Sequence, residues 1–242
     1  MLALTIAGCG SRGGDEPPAT PAPPAAPAGE PAASQPGASA PYTARGNEPG
    51  WLVTLTSDRL AVDADYGSLK LEGLTPAPEV TADGFRYRLR ADGHDVVVTV
   101  SRTLCHDGMS GMSFPDSVTL AIDDRTLRGC GGDPASLLQG TWTVESIGET
   151  TVPDGTAVTL VFKGAQLGGS TGCNNYTTSY QLTGEGLTTG HVASTMRACP
   201  DAQMAIERTF LDFLHTIHRH DVRDSRTLVL YGEGERTIVA HR

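Results

Sequence analysis

Proline is concentrated at one end of this chain, and that concentration limits which residues can form a folded core. Nine of the 16 prolines lie between Pro17 and Pro41. Gly10–Ala44 is rich in proline and alanine and almost free of bulky apolar side chains, so it cannot offset the entropy cost of ordering. We therefore predict that residues 10–44 form a disordered tether. Polyproline II rises ~3.1 Å per residue, so a tether of this length reaches up to ~100 Å.

The remaining residues must carry all of the folding, and the charge of the chain excludes one class of partner. The chain has 242 residues and a net charge of −10, with 38% hydrophobic and only 5% aromatic residues. Residues 1–44, 45–134 and 135–242 carry net charges of −2, −5 and −3. No segment has the Lys and Arg excess that phosphate binding requires, so we expect no nucleic-acid partner. No stretch of the sequence approaches the ~20 apolar residues of a transmembrane helix.

The first nine residues resemble a bacterial lipobox. Met1–Gly8 is an apolar run that ends in small residues directly before Cys9. The resemblance implies that Cys9 receives a lipid and anchors the protein to a membrane. Gly10 instead of Asp after the cysteine implies the outer membrane, with the protein facing the periplasm. The alternative is a buried N-terminal segment with an incidental cysteine. Signal peptides begin with basic residues, none precedes Cys9, and the apolar run is short, so we expect translation to start upstream.

Residues 45–134 have the pattern of an all-β domain. Short runs rich in Val, Leu, Thr and aromatic residues are separated by turn signals such as Asp92-Gly93. The alternation of apolar and polar residues in Phe85–Arg90 places three arginines on one face. Regularly spaced short strands predict an antiparallel barrel or sandwich. The predicted strands are Trp51–Leu55, Leu60–Ala64, Ser68–Leu74, Phe85–Arg90, Asp95–Thr103, Ser117–Ile122 and Thr126–Gly129.

Residues 135–242 predict a second domain, of α+β class, so that the chain as a whole is mainly β. Its one convincing helix is expected to begin with Asp201 as the N-cap, and apolar residues follow helical spacing from Met204 to Ile217. The apolar face of this helix is wide enough to pack on a sheet. The predicted strands are Trp142–Ile147, Val158–Phe162, Tyr176–Leu182, Leu228–Tyr231 and Thr237–Ala240.

Four of the five cysteines divide evenly between these two domains. Cys105 and Cys130 lie in the first, and Cys173 and Cys199 lie in the second. Four cysteines allow three pairings, and the domain boundary favours Cys105–Cys130 and Cys173–Cys199. Export from the cytoplasm would oxidise them. Each bridge would enclose about 25 residues and contribute ~3–4 kcal/mol.

The second domain resembles the META domain, the fold of HslJ-type heat-shock lipoproteins. Three motifs carry the resemblance, namely L-Q-G-T-W, S-T-G-C-N-N-Y and S-T-M-R-A-C, in this order. The matching residues are Leu138–Trp142, Ser170–Tyr176 and Ser194–Cys199, then Glu207, Phe210 and Leu214 of the helix and the closing Leu228–Tyr231. The resemblance implies a β-sheet with one packed helix and a place in the cell envelope. It implies almost no chemistry.

The first domain looks like an uncharacterised domain found in such lipoproteins. Three segments carry this likeness: Gly46–Trp51 (G-N-E-P-G-W), Cys105–Pro115 (C-H-D-G-M-S-G-M-S-F-P) and Arg128–Gly132. The family has no accepted activity, so the likeness implies a fold and a location alone.

Two clusters of reactive residues have a structural explanation beside the functional one. Cys105-His106-Asp107 contains a thiol, an imidazole and a carboxylate, but adjacent strand residues point to opposite faces. A bridged Cys105 is therefore the better interpretation. His215, His218 and His220 follow the helix and could bind zinc or copper, or they could form a solvated helix end. We predict no catalytic residue, no cofactor and no metal site, and leave the histidines open.

Glycine-containing loops are the remaining candidates for a binding surface. Trp51 and Phe114 lie in such loops and would form an exposed patch, although tight turns beside a bridge also explain these loops. Asn174 and Asn175, whose side chains can also bond the local backbone, complete the candidate set. We predict a non-enzymatic envelope lipoprotein, a stress-related binding factor with an envelope protein or glycan as partner. The alternative is an inhibitor of a secreted hydrolase, such as lysozyme or a protease.

Overall fold

A computed structural model describes residues 35–242, and within it the predicted mainly β class is confirmed. Strands account for 55% of the structure and helices for 11%. Two sheets with separate hydrophobic cores form an N-terminal and a C-terminal module. The lipobox, Cys9 and residues 10–34 of the predicted tether lie outside the described residues.

The N-terminal module is a nine-stranded antiparallel sheet with a separate β-hairpin. The sheet order is β4-β3-β2-β1-β11-β10-β7-β6-β5, and β8 pairs with β9. The sheet curls into a half-barrel whose inner face carries every second residue, as the apolar alternation requires. The strands are β1 Tyr42–Asn47, β2 Gly50–Leu55, β3 Arg59–Ala64, β4 Leu69–Leu74, β5 Glu79–Val80, β6 Gly84–Ala91, β7 His94–Ser101, β8 Cys105–His106, β9 Ser113–Phe114, β10 Asp116–Ile122 and β11 Arg125–Gly131.

The folded chain begins earlier than the tether prediction allows. Tyr42 and Ala44 belong to β1 and are buried in the core, although both fall within residues 10–44. Further upstream, the Tyr87 hydroxyl donates a hydrogen bond to the Pro36 carbonyl at 3.2 Å. The boundary at residue 44 is therefore wrong, because proline-rich composition hid a short strand with only two inward apolar residues.

The C-terminal module is built on a second, ten-stranded antiparallel sheet that nearly closes into a barrel. Its main order is β17-β16-β15-β14-β12-β21-β20-β19, with β13 beside β12 and β18 beside β16. The two ends of this order meet where the Leu187 N–H donates to the His218 carbonyl at 3.2 Å. The strands are β12 Gly140–Ile147, β13 Thr150–Thr151, β14 Thr159–Lys163, β15 Gln166–Ser170, β16 Asn175–Thr183, β17 Gly186–Thr189, β18 Ala193–Ser194, β19 Arg219–Asp224, β20 Thr227–Tyr231 and β21 Thr237–His241.

Two helices belong to the C-terminal module, α1 (Ala135–Leu138) and α2 (Asp201–Leu214). The apolar face of α2 fills the barrel core, where Phe210 and Phe213 are fully buried. The helix is confirmed, but two details of its prediction are wrong. Pro200 is the N-cap, and Asp201 is the first helical residue with no side-chain cap. The helix ends at Leu214, so the apolar Ile217 lies in the following turn, where it packs against the same core.

Each module contains one disulfide, and the pairing is the predicted one. Cys105 is bonded to Cys130, with 5.5 Å between their Cα atoms. Cys173 is bonded to Cys199, with 6.0 Å between their Cα atoms. Each bridge therefore ties a loop to a distant point in its own module.

The β8–β9 hairpin of the N-terminal module contacts the edge strand β19 of the C-terminal sheet. The Ser113 hydroxyl donates to the Val222 carbonyl at 3.3 Å. His106 Nε2 lies 3.6 Å from Asp221 Oδ1. The two modules thus share a polar contact in which side chains of one bond a strand of the other.

None of the helices in residues 35–242 is both long enough and apolar enough to cross a bilayer.

A methyl group added at Gly129 tests the close approach of β1 and β11. A Cβ at this position would lie 2.0 Å from the Arg45 carbonyl oxygen and 2.8 Å from the Trp51 ring. We expect Gly129→Ala to lower the free energy of unfolding by about 1–3 kcal/mol. The added methyl group would collide with the backbone of β1, and the two strands cannot move apart to relieve the collision without losing the hydrogen bonds between them. Gly184→Ala is the control, since no atom lies within 4 Å of its Cβ position. Urea denaturation measures both, and equal stabilities would contradict the prediction.

Candidate functional site

A cleft of about 490 Å³ lies on the N-terminal module beside the Cys105–Cys130 disulfide. We name it the bridge cleft. Ser117 and Thr119 of β10 alternate with buried residues and therefore point out of the half-barrel into this cleft. The loops after β1 and β8 form its walls. Its lining side chains are Asn47, Glu48, Cys105, His106, Asp107, Ser117, Val118, Thr119, Arg128 and Cys130, with Gly46, Gly108 and Gly129 between them.

The β8 wall of the cleft is held in place by a buried carboxylate. Asp107 Oδ1 accepts hydrogen bonds from the Ser110 N–H at 2.7 Å and from the Met109 N–H at 3.1 Å. Its Oδ2 accepts one from Asn47 Nδ2 at 2.8 Å, which ties this wall to the loop after β1. Burial raises the pKa of Asp107, but the bonds from Ser110, Asn47 and Met109 outweigh burial and hold the pKa below 3.8. Asp107 is therefore an ionised brace, with both of its oxygens hydrogen-bonded to the loops.

The opposite loop, after β1, is fixed by Tyr66. Its hydroxyl donates to the Asn47 carbonyl at 3.2 Å. Its ring packs against Gly50, so closely that a Cβ at Gly50 would lie 2.7 Å from the ring. Both walls of the bridge cleft are thus held by side chains from other parts of the module.

The disulfide removes the Cys105 thiol from any nucleophilic role. The Cys105 sulfur is bonded to Cys130, and the neighbouring His106 is directed to Asp221 of the C-terminal module. The cluster Cys105-His106-Asp107 is therefore structural: one residue is a crosslink, one contacts the other module, and one braces a loop.

Two charged side chains of the cleft have no partner within the described structure. Glu48 and Arg128 are both exposed. Neither takes part in a side-chain hydrogen bond or in an ion pair within 4.0 Å among residues 35–242. Both lie in segments that carry the likeness of the first domain, Gly46–Trp51 and Arg128–Gly132, but without knowledge of the cleft nothing distinguished them from other surface charges.

The expectation that Trp51 and Phe114 form an exposed patch is wrong. Trp51 is 5% exposed and Phe114 is 4% exposed. The Trp51 indole covers Gly46 and Gly129, whose missing side chains leave room for it. Phe114 lies under the Arg45 guanidinium, 5.6 Å from ring centroid to Cζ. Two strand glycines, Gly46 of β1 and Gly129 of β11, thus make room for the buried Trp51 ring.

A second polar network lies in the C-terminal module around Asn174. Asn174 Oδ1 accepts bonds from the Arg197 N–H at 2.7 Å and the Thr195 hydroxyl at 2.8 Å. Its Nδ2 donates to Glu207 Oε2 at 3.0 Å. Thr171 contacts the same Glu207 carboxylate. The network joins the Cys173 loop, the Cys199 loop and helix α2.

Asn174 and Asn175 consequently have different roles. Asn174 is 4% exposed and its amide is fully bonded, so its assignment as a binding residue is wrong. The Asn175 side chain is exposed and stays a candidate, outside the bridge cleft. Asn174 lies in the bend before β16 and turns inward to Glu207, whereas Asn175 is the first residue of β16 and points outward.

The three histidines after α2 do not converge on a metal site. His215 and His218 are exposed, whereas His220 on β19 is buried. Burial lowers the pKa of His220 to about 4, although Asp221 acts in the opposite direction. Among the residues that the structure describes, no group of three or more His, Cys, Asp or Glu side chains is arranged to hold a metal ion.

The structure defines a class of protein with two β modules, each braced by one disulfide and one buried polar side chain. The META domain family model matches the second of these modules, residues 135–242, which confirms the resemblance seen in the sequence. The META domain is not a known enzymatic family.

A protein from Burkholderia xenovorans, solved by NMR, is similar over 45% of this chain and 85% of that one, with 26% identity and a TM-score of 0.40. No curated protein matches the chain.

Replacement of Asn174 tests the polar network. We expect Asn174→Ala to lower the free energy of unfolding by about 2–4 kcal/mol, because it leaves the Arg197 N–H and Glu207 without their partner. Asn175→Ala is the matched control, since its side chain is exposed, and we expect it to change stability by less than about 0.5 kcal/mol. Thermal or urea unfolding measures both, and similar losses for the two variants would refute the assignment.

The pH dependence of stability tests the brace at Asp107. Because its folded-state pKa lies below 3.8, the ionised carboxylate stabilises the fold above that pH, and this stabilisation is lost as the pH falls through the folded-state pKa. We therefore expect the loss of stability in Asp107→Asn to be complete near neutral pH and to shrink below pH 3.8.

Asp116 is the control of opposite sign for this experiment. Burial raises its pKa, although Tyr42 and the Arg102 charge act against burial. Its ionisation therefore costs stability as the pH rises above 3.8. We expect Asp116→Asn to gain stability relative to the unmodified protein over that rise. Urea titrations across this pH range measure both variants, and parallel curves would show that neither carboxylate is perturbed.

Proposed function

We propose that this protein is a non-enzymatic lipoprotein of the bacterial outer membrane that binds the cell-wall polymer in the bridge cleft. The observation that carries the binding part is the cleft itself, whose two walls are held rigid while two charged side chains remain unpaired. A ligand that meets fixed walls loses less conformational entropy on binding.

The anchor rests on the lipobox resemblance at Cys9 and on the length of chain that follows it. Residues 10–34 separate Cys9 from the described structure. In a polyproline II conformation they span up to about 80 Å, a distance that would bring both modules within reach of the wall. Lipid chains contribute ~0.8 kcal/mol per buried CH₂, so several chains give stable attachment.

Binding is a better assignment than catalysis because of what the polar groups of the cleft already do. The Cys105 sulfur is part of a disulfide, and both Asp107 oxygens accept hydrogen bonds from the loops. The other carboxylate of the cleft, Glu48, is not hydrogen-bonded to any nucleophile within residues 35–242, whereas nucleophilic catalysis needs such a pair. Thr119, Glu48 and Arg128 are left to contact a ligand, and these side chains suit recognition.

The stress-related role and the alternative of hydrolase inhibition stay predictions. Exposed Met109 projects from the braced loop after β8, a feature that suits insertion into another protein. Binding of the wall polymer accounts for the two braced walls and the unpaired charges of the cleft, and it is therefore our proposal.

Cell fractionation tests the anchor. We expect the protein expressed from its complete gene to sediment with outer membranes, and Cys9→Ser to move to the soluble periplasmic fraction. Gly10→Asp is the matched variant, because Asp after a lipidated cysteine favours the inner membrane in enteric-type bacteria. If Cys9→Ser sediments as the unmodified protein does, the anchor is overturned.

Sedimentation with purified peptidoglycan sacculi tests the binding. We expect the full chain to pellet with sacculi and Thr119→Trp, which fills the cleft, to stay in the supernatant. Thr99→Trp is the control: Thr99 is paired with Thr119 on the neighbouring strand and faces the same side, but does not line the cleft. Equal pelleting of both variants, or a soluble unmodified protein, would overturn the proposal.

A further inference from the structure

The two unpaired charges of the bridge cleft have opposite signs and lie on neighbouring segments, one just after the end of β1 and one in the middle of β11. Glu48 follows β1, and Arg128 lies in β11, which pairs with β1. The strands stay close here, because a Cβ on Gly46 would lie 2.6 Å from the Arg128 carbonyl. Charged side chains at such a distance commonly pair with each other, yet no ion pair within 4.0 Å joins them.

The remaining lining of the cleft restricts what can lie between these charges. Asn47 Nδ2 donates to Asp107 Oδ2, and the Ser117 hydroxyl donates to the Thr103 carbonyl at 3.3 Å. The Thr119 hydroxyl remains available to a ligand. Aromatic side chains are absent from the lining, because Trp51 and Phe114 are buried. Apart from His106, which is directed to Asp221, the cleft therefore offers a cation, an anion and a hydroxyl, but no platform on which a sugar ring could stack.

We infer that the bridge cleft binds a short peptide with a free carboxylate and a free ammonium group, the carboxylate on Arg128 and the ammonium on Glu48. This inference rests on the proposed function and names the part of the wall polymer that is recognised, its peptide and not its sugar. A guanidinium binds a carboxylate through two parallel N–H···O bonds. A volume of about 490 Å³ falls within the range of pockets for small ligands.

A ligand with only one of the two charges fits the cleft less well. A phosphate or a simple carboxylate would pair with Arg128 but would leave Glu48 close to its negative charge, in a protein whose net charge is already −10. A simple amine would do the reverse. Only a ligand with both charges satisfies both side chains, which makes the inference specific enough to test with capped peptides.

Titration with trialanine and its capped forms separates the two contacts. The full chain is labelled with ¹⁵N and titrated with trialanine, N-acetyl-trialanine and trialanine amide. We expect each cap to weaken binding about fivefold, since each removes one charge pair at a half-exposed site. The shifted resonances should belong to residues around the cleft, including Gly129 and Thr119.

Two conservative variants assign each charge to its partner. With Glu48→Gln, free and acetylated peptides should bind equally, while the amide cap should still weaken binding. With Arg128→Gln, the reverse should hold. Arg125→Gln is the control, because Arg125 lies on the same strand but pairs with Asp65 outside the cleft, and both preferences should survive in it.

The outcomes distinguish this inference from the proposal on which it rests. If sacculi bind and Thr119→Trp blocks them, while all three peptides bind equally or not at all, the peptide inference is overturned and wall binding stands. If capping weakens binding, and does so equally in Glu48→Gln and Arg128→Gln, the ends of the peptide contact charged residues other than Glu48 and Arg128. The inference is then again overturned. If neither sacculi nor peptides bind, both fail together.

Discussion

Each module depends on the same pairing of constraints, a disulfide and a buried polar side chain within two residues of one of its cysteines. Asp107 follows Cys105 and Asn174 follows Cys173. In each case the covalent bond fixes one point of a loop, and the polar side chain then satisfies the backbone N–H groups that the loop leaves unpaired. Neither device would suffice alone, because a crosslinked loop with unsatisfied donors is strained and a bonded but uncrosslinked loop can open.

Because the disulfides, the buried polar side chains and the two cores hold the fold, outward side chains on the strands are left for binding. The two apolar cores occupy the inside of the half-barrel and the near-barrel, so they face away from the bridge cleft. Thr119 and Arg128 point outward from strands whose inward residues hold the sheet together. Thr119 and Arg128 can therefore change with little effect on folding, which is how many proteins combine a rigid scaffold with a variable binding surface.

Local patterns in the sequence predicted the fold well, whereas the site depended on contacts between distant residues. The alternation in Phe85–Arg90 and the spacing in α2 report local geometry, and both the strand and the helix were found. The burial of Trp51 depends on glycines of two other strands, Gly46 and Gly129, which no local pattern links to it. Arg128 and Glu48 were visible within motifs, but their significance arises only when the fold places them at one cleft. His220 was read as part of a helix end and is instead an inward residue of β19.

The contact between the β8–β9 hairpin and β19 has a consequence for the way these modules can be used in isolation. β19 is the last strand in the order of its sheet and meets β17 at the His218 carbonyl, so the carbonyls farther along its outer edge could pair with another chain. Ser113 occupies one of them, at Val222, and β9 of the hairpin packs against β19. The N-terminal module thus acts as a guard against intermolecular strand pairing, and a C-terminal module freed by proteolysis in the interdomain loop would carry an aggregation-prone edge that the intact chain conceals.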